Sequence, residues 1–118
     1  MTEAFKMRAS CTVRAFAAVT QADIGFAYKV AEKAGRKPGR GFRSMLLIGY
    51  AQRNLNMVFI RETPGRMTLK RFAREYNKGR YYVTIRQHAL AIIDGEIMDG
   101  SKPGSIIRNA WRFAGEKE

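Results

Sequence analysis

The chain predicts an α+β fold, with amino-terminal helices packed on a small carboxy-terminal antiparallel sheet. Three observations carry that expectation. Residues 11–76 are punctuated by helix caps and apolar residues at helical spacing; residues 80–86 alternate and are rich in β-branched and aromatic types; and Asp94-Gly95 lies between two apolar runs. Helices first and antiparallel strands last describe a helical half laid on a sheet. A length of 118 residues suits a single domain, 1–118, with a modest core.

Ser10 is placed to cap a helix over residues 11–19, with Ala15, Ala18 and Val19 toward the core and Cys11 in the first turn. Thr20 with Asp23 resembles a capping box for a second helix over residues 22–34, in which Ile24, Ala27, Tyr28 and Ala31 recur at core spacing. Gly35 stands where a left-handed C-cap would end it. Residues 35–41, GRKPGRG, follow as a charged loop whose glycines and cations could meet phosphate; the P-loop spacing is absent, which favours a solvated loop. Residues 42–53 fit a third helix with Met45, Leu46, Gly49 and Tyr50 on one side, although a buried strand at 45–50 is the alternative.

Residues 56–61 read as a short strand, Thr63-Pro64-Gly65 as a turn, and Thr68 as the cap of a helix over 69–76 that stops at Asn77-Lys78-Gly79. Residues 80–86 form the next strand. Asp94-Gly95 then demands a two-residue hairpin, because a type I′ turn needs positive φ at both positions. With Ile93 and Glu96 closing it, Ile92 faces Ile97, and His88, Leu90, Ile92, Ile97 and Asp99 share one face. Asp99 is then diagonal to His88, within side-chain reach. A last strand is expected over 105–113, a short amphipathic helix being the alternative.

A net charge of +12 suggests an anionic partner, whether nucleic acid, an acidic protein or a membrane surface. The candidate anion-binding residues are Arg36, Lys37, Arg40 and Arg43 in and after the loop, and Lys70, Arg71 and Arg74, which one helix would present together. The longest apolar run, residues 45–51, is far shorter than the roughly 20 residues of a membrane span, so no membrane partner is expected. The amino terminus does not read as a signal peptide. A lone cysteine makes no intrachain disulfide, and the expected compartment is the cytoplasm. One cysteine and one histidine cannot make a Cys/His zinc site, and no cofactor is called for.

Cys11 opens a helix, where free amides and the helix dipole favour a thiolate; His88 begins a strand; Asp99 lies across the hairpin. A thiolate, an imidazole to exchange its proton and a carboxylate to fix the ring are the parts of nucleophilic cysteine chemistry. The plainer explanation is a small buried thiol and a solvated edge histidine.

Here the chain resembles small phage and bacterial proteins of the papain-like cysteine peptidase superfamily, near the peptidase domains of bacteriocin-processing transporters. The resemblance runs from about Ser10 to Phe113 on Cys11-Thr12-Val13-Arg14-Ala15, Thr68-Leu69, Gly79-Arg80-Tyr81, His88, Asp94-Gly95 and Asp99, in that order. It implies a papain-like fold, a peptide or protein substrate, nucleophile Cys11, general base and acid His88, and orienting carboxylate Asp99, with Asp94 making the turn. The superfamily's glutamine shortly before the cysteine has no counterpart in residues 2–10. For a phage-encoded chain the compartment would be the host cytoplasm. The second expectation is a non-catalytic, strongly basic phage protein of the same fold that binds nucleic acid or an acidic host protein.

Overall fold

The computed structural model describes residues 11–37 and 43–117. Ser10, Arg40 and Phe42 therefore lie outside the described residues. Along the chain come α1 (Cys11–Thr20), α2 (Ile24–Lys33), α3 (Ser44–Asn54), β1 (Met57–Glu62), α4 (Leu69–Glu75), β2 (Arg80–Ile85), β3 (His88–Ile93), β4 (Glu96–Ile97) and β5 (Asn109–Glu116). The α+β expectation holds: among the described residues four helices accompany one antiparallel sheet of order β1-β5-β2-β3-β4. No described helix is long and apolar enough to cross a membrane.

Local chemistry explains most of the boundaries. Asp23 caps α2 by accepting from the amides of Gly25 and Phe26 at 2.9 and 3.3 Å. Thr20 was expected to begin that cap, yet its hydroxyl donates back to Phe16 O at 2.8 Å and closes α1 instead. At the far end of α2, Gly35 takes φ +114, and the amides of Gly35 and Arg36 bond to Glu32 O and Ala31 O. That pair of bonds is a Schellman motif, which requires a residue tolerant of positive φ at this point. Thr68 caps α4 by accepting from Arg71 N at 3.2 Å, as expected.

The sheet separates two hydrophobic cores. On one face α1, α2 and α3 bury Val13, Phe16, Val19, Ala27, Ala31, Leu47 and Ala51 against Phe59, Tyr82, Ala89, Ala91 and Trp111. On the other, α4 buries Leu69 and Phe72 against Tyr81, Val83, Leu90, Ile92 and Ala110. Alternation along β2 and β3 feeds both cores, so both parities of these strands are apolar. Helix α4 therefore covers the side away from the amino-terminal helices, an arrangement that a simple helical half on a sheet does not anticipate.

Three further expectations need correction. In α3 the buried residues are Leu47, Ile48 and Ala51, while Met45 and Leu46 are 60% and 50% exposed. Residues 45–51 are apolar on almost every side, so periodicity could not choose the inward face. Ile24, expected in the core of α2, is 46% exposed because the helix begins there and turns Ala27, Val30 and Ala31 inward. The last strand starts at Asn109; the chain before it packs along the start of α4, with bonds from Leu69 N to Ser105 O and from Ile107 N to Met67 O, both 2.9 Å. This return path lets β5 insert between β1 and β2.

Candidate active site

The carboxy-terminal hairpins set the site. Strands β2 and β3 are closed by the pair Ile85 and His88, which places Arg86 and Gln87 in a two-residue turn with Gln87 at φ 56. Strands β3 and β4 pair Ile93 with Glu96 and Ile92 with Ile97 around Asp94 and Gly95, at φ 49 and 80. The expected register and turn are both present. Asp94 spends its carboxylate on the turn, accepting from Gly79 N at 2.9 Å, and its own amide donates to Gly79 O at 2.8 Å. It is thus a turn former with no part in holding His88. Gly95 is required twice over, since a Cβ there would stand 3.0 Å from Ala73 O as well as at positive φ.

Past the hairpin, Met98 N still bonds to Ala91 O at 3.0 Å, which carries Asp99 up to the histidine. His88 Nε2 and Asp99 Oδ2 are 2.7 Å apart, and Asp99 Oδ1 accepts from Ser101 N at 2.9 Å. Both carboxylate oxygens of Asp99 are therefore engaged. Partial burial raises the Asp99 carboxyl, but the hydrogen bonds to His88 and Ser101, with the charge of His88, outweigh it and hold the group below its ordinary value.

Helix α1 packs over β3, and residues of both elements, with Met98 and Asp99 beyond the hairpin, line a cavity of about 340 Å³. Cys11, His88 and Asp99 all line it, joined by Arg14 and Gln87. Apolar walls come from Ala15, Ala18, Leu90, Ala91 and Met98. Small side chains on both elements, alanine at 15, 18, 89 and 91, leave this space open. Cys11 is half-buried and forms no disulfide.

Beneath the cysteine the first turn of α1 is held by a buried polar contact. Tyr82 is fully buried, with its Oη 2.7 Å from Ser44 Oγ and 3.5 Å from Thr12 O. Burial pushes the Tyr82 hydroxyl well above its ordinary value; the Ser44 hydrogen bond opposes this and the neighbouring Cys11 adds to it. The phenol stays protonated and can donate to the carbonyl that follows Cys11.

The three residues expected to carry chemistry are thus brought to one cavity. Arg14 and Gln87 are the two that sequence reasoning assigned no role. The signal for Arg14 was available: three residues from Cys11 on a helix is the same face, one turn on. That for Gln87 was not, because its position depends on a left-handed turn at a non-glycine residue.

The candidate cationic surface is divided. Arg36 lies 5.1 Å from the centre of the Tyr28 ring, while Lys37 and Arg43 are exposed beside α2 and α3. Lys70, Arg71 and Arg74 are exposed on α4, across the sheet, and Arg71 pairs with Glu75 at 2.5 Å. Among the described residues no cluster of His, Cys, Asp and Glu could hold a metal ion. The chain matches no protein-family model, and neither the curated proteins nor the solved structures contain a match.

Proposed function

We propose that the protein is a papain-like cysteine peptidase, or a related acyl-transfer hydrolase, working through an acyl-thioester. The observation that supports this most is that one cavity is lined by Cys11 together with the hydrogen-bonded pair of His88 and Asp99. With Nε2 held by Asp99, Nδ1 is the nitrogen left to exchange a proton with the thiol. The Cys11 proton passes to His88 and the sulfur attacks the substrate carbonyl carbon. The carbon–nitrogen bond then breaks as the leaving amine takes the proton from His88. Water, giving its proton to the same ring, hydrolyses the thioester and frees Cys11.

The developing oxyanion needs donors, and the loss of one typically costs about 10²–10³ in turnover. Cys11 is the first residue of α1, so its amide has no acceptor within the helix. The carboxamide of Gln87, on the cavity wall, is the candidate for the second donor in place of a glutamine before the cysteine. The basic-binding alternative is less favoured, because its cations fall on opposite sides of the sheet rather than on one surface.

Alkylation tests the reading without a known substrate. Cys11 should react with iodoacetamide near neutral pH about tenfold or more faster than a free thiol, and His88→Ala should remove that advantage while the fold, followed by circular dichroism, is retained. Ordinary thiol kinetics, unchanged in His88→Ala, would sink it.

A further inference from the structure

The cavity contains a cation that the peptidase chemistry does not use. Arg14 follows Cys11 by one helical turn and lines the same space. Its side chain makes no hydrogen bond, ion pair or ring contact with any described residue. Among the described residues Asp99 is the one carboxylate on the cavity wall, and its two oxygens are already bound to His88 and Ser101. The guanidinium therefore has no counter-charge at the site among the described residues, and the wall residues Ala15, Ala18, Leu90, Ala91 and Met98 offer no acceptor side chain.

Building on the peptidase reading of this cavity, we propose that it selects substrates bearing a carboxylate beside the bond that Cys11 attacks, with Arg14 as its partner. A guanidinium binds a carboxylate through two parallel N–H···O bonds, and Arg14 is exposed to an incoming ligand. The net charge of +12 draws anionic peptides toward the molecule as a whole, while Arg14 fixes where the charge comes to rest. The walls of alanine, leucine and methionine leave room for a small apolar side chain next to the acidic group.

Two alkylating agents of nearly equal size but different charge, iodoacetate and iodoacetamide, read this directly at low salt. The ratio of their rates at Cys11 should fall about fivefold or more in Arg14→Gln, with the iodoacetamide rate kept. It should not fall in Arg53→Gln, which removes the same charge from a site on α3 that is likewise exposed but does not line the cavity. An unchanged ratio, an equal fall in both variants, or a parallel fall of both rates in Arg14→Gln would overturn the proposal, the last because Arg14 would then act on the sulfur. An iodoacetamide rate indifferent to His88→Ala would remove the peptidase reading alone, leaving the ratio to judge Arg14. Reaction with neither reagent would remove both.

Protection of Cys11 from iodoacetamide by short acetylated peptides identifies the source of the carboxylate. Ala-Glu-Ala amide carries it on a side chain, Ala-Ala-Ala with a free terminus carries it at the end, and Ala-Gln-Ala amide is neutral. Better protection by either charged peptide than by the neutral one is expected. If neither protects better, the substrate assignment fails.

Discussion

Two contacts of the sheet are built from different materials, the one with α4 and the one where α1 crosses β3. Against α4 the packing is aromatic: the rings of Phe72 and Tyr76 stack with centroids 4.3 Å apart, and Tyr81 meets both edge-on. Where α1 meets β3 it is largely alanine, Ala15 on the helix and Ala89 and Ala91 on the strand all being buried, whereas Phe16, Phe59, Tyr82 and Trp111 fill the same face farther across the sheet. Aromatic rings pack the α4 contact, whereas small side chains at the contact of α1 with β3 leave a cavity beside the cysteine. The ring cluster on α4 secures its side of the sheet, while small side chains leave space beside Cys11.

Substitutions on each face sharpen that contrast. Phe72→Ala, at a fully buried ring, should cost about 3–5 kcal/mol in chemical denaturation. A loss of less than about 1 kcal/mol would mean that the α4 face does not secure the fold. Ala18→Leu should do the reverse, keeping stability within about 1.5 kcal/mol because the cavity accepts the added volume. It should also slow iodoacetamide alkylation of Cys11 about tenfold, a barrier increase of roughly 1.4 kcal/mol. Unimpeded alkylation would show that the reagent reaches the sulfur by another route.

The smallest effect belongs to the pair of His88 and Asp99, whose side chains are 35% and 36% exposed. Because the folded-state Asp99 carboxyl is held below its ordinary value, its contribution is present above the unfolded value and is lost as pH falls through the folded one. After allowance for solvent screening the gain is a few tenths of a kcal/mol, about the size of an exposed pair. Asp99→Asn should therefore be slightly less stable than the parent at pH 6, and the gap should close on acidification below the carboxylate range. A gap independent of pH would show that the carboxylate charge contributes nothing to the pairing.

How legible each part was depended on whether the signal was local. The hairpin at Asp94-Gly95 follows from φ requirements that two residues impose on themselves, and it fixes which residues share a face with Asp99. The cap at Thr68 and the stop at Gly35 are equally local. Helix α3 shows the limit: with apolar residues nearly all round, only the neighbouring elements determine that Leu47 goes in and Met45 stays out. Thr20 shows a second limit, since its hydroxyl could serve either the helix it ends or the one it precedes.

The sequence by itself determined the α+β class, the hairpin register, the division of labour between Asp94 and Asp99, and the three residues singled out for chemistry. Those features rest on turn geometry, alternation and residue type, which act over a few positions. Only the tertiary structure decided that Cys11 shares a cavity with residues more than seventy positions away, that Arg14 and Gln87 line it too, and that the cationic residues are split across the sheet. The physical reason is that packing joins elements through the whole core. Side-chain volume on α1 and β3, rather than any motif, sets the space between them.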